Sequence, residues 1–165
     1  MDILTIGLGT IGTTYSYLFN KASHNVEHYI RKSSKKINIT ELNVDMLDGR
    51  NNKKGDHYTD TYKVNTHTKD NYDFIFISMP AGNIESVIET LNSNNIKGTI
   101  ILCCGIWEDK KYLEKIMQGR EYILGYPVAG GNIVDATLTC CVFDHFILEK
   151  KENSKIDNYD KLVKL

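Results

Sequence analysis

The chain has 165 residues, 41% of them hydrophobic and 25% charged, with only 2 prolines. That is the composition of one packed globular domain, and it excludes disordered and fibrous classes. Its 20 basic and 21 acidic residues leave a net charge of -1, so no overall field favours nucleic acid or an anionic membrane surface.

The chain opens on "DILTIG", a short apolar run suited to a buried strand, and "TIGTTYSYLFNKA" follows with Ile11, Tyr15, Leu18 and Phe19 at helical spacing. "NVEHYI" then alternates into a second strand, so residues 2 to 30 read as one βαβ unit, which implies a parallel sheet with a right-handed crossover. Residues 37 to 66 differ: "INITELNVDML" and "HYTDTYKVN" are β-rich and flank the turn-forming "DGRNNKKGD", which predicts a hairpin insertion. The parallel pattern resumes with "DFIFIS". After it, "NIESVIETLN" places Ile84, Val87, Ile88 and Leu91 on one helical face behind Asn83 as N-cap. "GTIILCC" is a further buried strand, "EDKKYLEKIM" a helix with Tyr112, Leu113, Ile116 and Met117 inward, and "EYILGYP" another strand. Beyond "YPVAGGN", the runs "IVDATLTCCVF" and "HFILEK" suggest an antiparallel pair at a sheet edge. "NYDKLVKL" starts an amphipathic helix that the chain leaves unfinished. The fold class expected is α/β: a Rossmann-type, doubly wound, mostly parallel sheet with a β-rich hairpin insertion and an antiparallel edge.

Gly7, Gly9 and Gly12 fit G-x-G-x-x-G between the first strand and the first helix, the context in which this spacing marks a dinucleotide site. The first glycine permits the tight turn, the second lets backbone approach a pyrophosphate, and the third allows close helix-strand packing. The helix starting near Thr10 offers unpaired N–H groups and a partial positive end to phosphate. Residues Gly7, Leu8, Gly9, Thr10, Ile11 and Gly12 are therefore the candidate cofactor cradle. A carboxylate after the second strand would select NAD through the ribose hydroxyls, whereas arginine accommodates the 2′-phosphate of NADP. The sequence there, "YIRKSSKK", holds no Asp or Glu between Tyr29 and Thr40 but supplies Arg31, Lys32, Lys35 and Lys36. Arg31 is the candidate for the main phosphate contact, since a guanidinium can clasp phosphate with two hydrogen bonds, with Lys32 in support. The cofactor expected is NADP.

The other chemistry-bearing residues carry less. Cys103-Cys104 and Cys140-Cys141 lie in strand-like runs, where neighbours point to opposite faces, so buried reduced thiols are expected rather than a metal or redox site. His24, His28, His57, His67 and His145 are scattered without metal-ligand spacing and read as surface or structural. Trp107 fits either the mouth of the cofactor crevice or a loop anchor, and Gly130 and Gly131 fit either backbone approach to the nicotinamide or an ordinary turn. No apolar run approaches the roughly 20 residues of a membrane span. With no secretory signal visible, a cytoplasmic location without a membrane partner is expected.

"ILTIGLGTIGTTYSYLFNKASHNVEHYIRK", "FISMPAGNIESVIETL" and the "YPVAGG" turn together resemble the N-terminal domain of ketopantoate reductases, also called 2-dehydropantoate 2-reductases. The resemblance covers nearly the whole chain, and its specific motif is the first segment. It implies an NADPH-dependent oxidoreductase whose Rossmann domain, here residues 1–165, is followed by a mostly helical domain that this chain lacks. It also implies reduction of 2-dehydropantoate to pantoate, with Gly7, Gly9 and Gly12 at the pyrophosphate and Arg31 at the 2′-phosphate. The family usually carries a lysine where this sequence has Pro80 and an asparagine where it has Cys104, and its principal catalytic lysine lies in the helical domain. No catalytic residue is named in this chain. A cofactor-binding half of a reductase, a non-catalytic NADP-binding or sensor module, and a site completed by a homo-oligomeric partner are the three readings that follow. A small 2-oxo acid is the substrate class expected.

Overall fold

A computed structural model describes residues 1–105, 110–153 and 156–165. Among the described residues, six strands, β1 (Asp2–Ile6), β2 (Asn25–Tyr29), β5 (Asn71–Ile77), β6 (Lys97–Leu102), β7 (Tyr122–Tyr126) and β10 (Ile147–Leu148), form the first sheet, in the order β10-β7-β6-β5-β1-β2. The first five pair in parallel and β10 runs antiparallel to β7. The chain steps outward from β1 to β2 and then returns to the other side of β1 at β5. That reversal makes a crevice beyond the carboxyl ends of β1 and β5, where open α/β sheets bind ligands.

Helix α1 (Thr10–Lys21) covers one face of this sheet, and α2 (Ile84–Ser93) and α3 (Lys110–Met117) cover the other. Ile84, Ile88, Leu91, Leu113, Ile116 and Met117 pack against Leu4, Ile75, Ile77, Ile100 and Leu102. Tyr15 and Phe19 pack against Ile3, Phe74, Phe76 and Ile101. The helical faces match their sequence spacing except at Tyr112, which is exposed. Asn83 does sit at the N-cap of α2, but its side chain makes no capping hydrogen bond.

The expected hairpin is present as β3 (Glu41–Asp48) and β4 (Asp56–Lys63), paired over their full lengths. It does not stand alone. With β9 (Thr137–Val142) parallel to β3 and β8 (Ala129–Val134) antiparallel to β9, it forms a second sheet in the order β4-β3-β9-β8. The inward side chains Leu42, Val44, Met46, Leu138, Cys140 and Val142 pack with Leu8, Tyr17 and Tyr62. Helix α1 therefore lies between two sheets, and Thr13, Thr14, Ser16 and Tyr17 are buried with its apolar face.

The pairing expected for "IVDATLTCCVF" and "HFILEK" is corrected. The first run breaks at Asp135 and Ala136, both at positive φ (46° and 57°), into β8 and β9 of the second sheet. The second run supplies β10, which pairs with β7 in the first sheet. Two consecutive residues at positive φ make the tight turn that matches strand twist. Gly130 and Gly131 lie inside β8 and form no turn. The last helix, α4, is the four residues Tyr159–Leu162, with Leu162 buried. Among the described residues no helix is long and apolar enough to cross a membrane.

Candidate functional site

The turn after β1 brings Gly7 to Gly12 together at the head of α1, and its three glycines differ in what holds them. Gly7 has φ 82°, a conformation costly for a side chain, and its N–H donates to the Tyr29 carbonyl (2.8 Å) at the end of β2. Gly12 is packed: a Cβ there would meet Thr5 Cγ2 at 3.1 Å, which lets α1 rest on β1. Gly9 is neither. It has φ -84° and ψ 158°, open to any residue, and a Cβ would find only the Ser78 carbonyl oxygen at 4.0 Å. That nearness to Ser78 places the turns after β1 and β5 side by side.

Gly9 is the N-cap of α1, which has no side-chain cap and no acidic residue in its first turn. The first helical bond there runs from Thr13 N–H to the Gly9 carbonyl (2.9 Å), so the N–H groups of Thr10, Ile11 and Gly12 precede the helical ladder. Gly9 is exposed and Thr10 and Ile11 half-buried, whereas the Leu8 side chain is buried in the core facing the second sheet. Only the backbone of Leu8 remains for a ligand.

Two polar contacts fix this turn that sequence spacing does not reveal. His28 on β2, fully buried, bonds the Gly7 carbonyl through Nδ1 (2.9 Å) and the Tyr62 hydroxyl through Nε2 (2.9 Å). A carbonyl only accepts, so Nδ1 carries the proton and the tyrosine donates to Nε2. His28 is thus a structural histidine that holds the glycine turn to the second sheet. Burial pushes its pKa below the usual value, against the opposing pull of the Gly7 carbonyl. A histidine that folds neutral and unfolds into water takes up a proton on unfolding below its ordinary pKa of about 6.5. The stabilisation is therefore complete above that pH and is lost as pH falls below it, by up to about 1.4 kcal/mol per pH unit per proton. His24, also lowered by burial, acts in the same direction, while Glu27 and Asp48, held low by hydrogen bonds, act only in the acidic carboxylate range. Denaturant unfolding between pH 7.5 and 5.5 is expected to show this loss, with a shallower slope in His28→Gln.

The second contact comes from the loop after β2. Lys36 Nζ donates to the Leu8 carbonyl at 2.8 Å and so draws that loop onto the glycine turn. Arg31 and Lys32, the expected 2′-phosphate contacts, lie at the start of this loop, exposed; among the described residues no hydrogen bond or ion pair engages either side chain.

At the neighbouring strand ends, Cys103 N–H donates to the Ile77 carbonyl (2.8 Å), setting the Cys103-Cys104 turn beside the Ser78–Pro80 turn. Pro80 is exposed and Cys104 half-buried, its thiol pushed up by burial. The thiols of each adjacent pair are unequally buried, Cys103 and Cys140 deeply and Cys104 and Cys141 partly. Trp107 lies outside the described residues. Gly130 and Gly131 line a different feature, a groove of about 580 Å³ on the outer face of the second sheet, with Asp45, His57, Thr139 and Phe143. Among the described residues no group of three or more His, Cys, Asp or Glu could hold a metal ion.

The family model described as ketopantoate reductase PanE/ApbA matches residues 3–132. No curated protein matches the chain significantly in sequence. Among solved structures, the chain is similar to 2-dehydropantoate 2-reductase from Geobacter metallireducens, with a TM-score of 0.68 and 14% identity over 98% of this chain and 53% of that one. A dimeric ketopantoate reductase from Staphylococcus aureus gives a TM-score of 0.64 at 13% identity, over 99% of this chain and 51% of that one. D-mandelate dehydrogenase solved with NADH and anilino(oxo)acetate gives 0.61 at 16%, over 99% and 54%. At such identities the likeness is one of fold, and the chain spans about half the length of these proteins.

Proposed function

The chain belongs to the ketopantoate reductase PanE/ApbA family, and from that premise we propose that residues 1–165 are the NADP(H)-binding domain of an oxidoreductase acting on a small 2-oxo acid, with 2-dehydropantoate, the family's substrate, as the first to test. The helical second domain of the family is to be sought outside these residues. When bound, the nicotinamide supplies hydride chemistry. The chain's own residues bind and orient. Gly7 turns the backbone, the N–H groups of Thr10, Ile11 and Gly12 meet the pyrophosphate with the backbone of Leu8 and Gly9 beside them, and Arg31 clasps the 2′-phosphate with Lys32 in support.

The observation that carries this reading is the openness at Gly9. Neither backbone conformation nor packing within the chain requires glycine there, and the missing side chain leaves the turn open to a ligand that approaches from outside. The fold does not choose between the two dinucleotides, since one neighbour was solved with NADH. The choice of NADP rests on Arg31 and on the missing carboxylate after β2. Arg31→Ala is expected to weaken NADPH binding about tenfold or more and to leave NADH binding unchanged, because a hydrogen bond to a charged group contributes about 1.5–3 kcal/mol. Calorimetric titration of both variants with both nucleotides checks this, and equal losses would remove Arg31 from the 2′-phosphate.

A second reading, a binding or sensor module without chemistry, is favoured by Pro80 and Cys104 at the ends of β5 and β6. Proline has no side-chain donor and a protonated thiol is a weak one, so neither orients a polar substrate as lysine or asparagine does. NADPH oxidation by this chain with 2-dehydropantoate would exclude the module; tight binding without turnover fits both readings, and turnover regained when a helical second domain bearing a lysine is joined to the chain supports the reductase. Assembly with a second copy is the third arrangement, in keeping with the dimeric Staphylococcus aureus protein, and it is read from the mass of the chain in solution.

A further inference from the structure

We propose that Lys36 is a further cation of the 2′-phosphate site, beside Arg31 and Lys32, and the strap that closes the loop after β2 over the glycine turn. The proposal rests on the dinucleotide reading above and adds a residue to it. The loop is built to bring Lys36 back. Ser34 N–H donates to the Arg31 carbonyl (2.9 Å), Lys36 N–H to Ser34 Oγ (3.2 Å), Ile37 N–H to the Ser34 carbonyl (3.2 Å) and Ile39 N–H to the Lys36 carbonyl (3.1 Å). Ile30 before these turns and Ile39 after them pack in the same apolar cluster as Leu8. The result is a pinned run of turns, from which the ammonium reaches the carbonyl between Gly7 and Gly9.

The chemistry of that contact is incomplete. A carbonyl is a neutral acceptor and does not compensate an ammonium, and two of the three Lys36 donors are left for another group. Among the described residues no ion pair compensates Arg31, Lys32, Lys35 or Lys36, and like charges held in one loop repel. A doubly charged phosphate on the ribose relieves this repulsion, whereas a ribose hydroxyl does not. Lys36 therefore favours NADP over NAD, in addition to Arg31.

The test titrates the chain, Lys36→Met and Lys36→Arg with NADPH, NADH and adenosine 2′,5′-bisphosphate. The proposal expects Lys36→Met to lose about tenfold for NADPH and for the bisphosphate, with NADH affinity unchanged and Lys36→Arg close to the parent. Equal losses for NADPH and NADH would make Lys36 a structural strap alone and overturn its role at the 2′-phosphate, as would no loss for either. A parent chain that binds NADH but not NADPH overturns the Lys36 proposal and leaves a dinucleotide site standing. A parent that binds neither overturns both.

Discussion

Gly9→Ala is expected to fold as the parent does and to lose dinucleotide affinity by about 10- to 100-fold, the cost of forcing a methyl group into a filled contact. The native backbone at Gly9 is one that alanine adopts freely, and the added Cβ meets nothing closer than the Ser78 carbonyl at 4.0 Å. Thermal unfolding should therefore be unchanged or slightly raised, because alanine restricts the unfolded chain more than glycine. The paired readout is what makes this variant informative. Lost binding with intact stability identifies a glycine kept for a ligand, and intact binding would show that nothing rides over this turn.

Gly131→Ala is expected to do the reverse at another glycine. There φ is 154°, and a Cβ would fall 2.2 Å from the Thr139 carbonyl oxygen and 2.7 Å from Cys140 Cα, both backbone atoms of the neighbouring strand β9. Neither can move without separating β8 from β9 or β9 from β3, so the variant is destabilised by about 3 kcal/mol or more. For a chain of this size that lowers the melting temperature by on the order of 10 °C. Differential scanning calorimetry checks it, and an unchanged transition would contradict the packing at β8. Gly131 of "PVAGGN" is thus explained by strand crowding, whereas a Cβ at Gly130 would meet only the Phe143 ring, at 3.4 Å.

These two glycines also show what sequence can and cannot disclose. The βαβ unit was legible because its signals are local: a short apolar run, glycines at fixed offsets, and helical spacing from Ile11 to Phe19 within one stretch of chain. The buried strands β5, β6 and β7 were legible for the same reason. The second sheet was not. Its central contact joins β3 to β9, with Asn43 opposite Thr137, and no local pattern states which distant strand will be the partner. That sheet in turn buries Thr13, Thr14, Ser16 and Tyr17 on a face of α1 that polarity alone marks as solvent-facing. Ser16 is accommodated by bonding Thr5 Oγ1 (2.6 Å) and the Gly12 carbonyl (2.8 Å). The turn at Asp135 and Ala136 carries no sequence signal, because alanine is not a residue expected at positive φ.

At the site, the residues of the glycine turn were legible and their supports were not. His28 reads as one more strand residue until the fold sets it between Gly7 and Tyr62. Lys36 reads as one more surface charge until the turns of its loop carry it to Leu8. Both act through backbone carbonyls, which any residue possesses, so no side-chain pattern announces the partner.

The most direct measurement is a calorimetric titration of the parent chain with NADPH and, separately, with NADH. Saturable one-to-one binding of NADPH, tighter than that of NADH, is the expected result. Equal affinity for the two would contradict the assignment of the loop after β2 to a 2′-phosphate, and absence of binding by either would contradict the site itself.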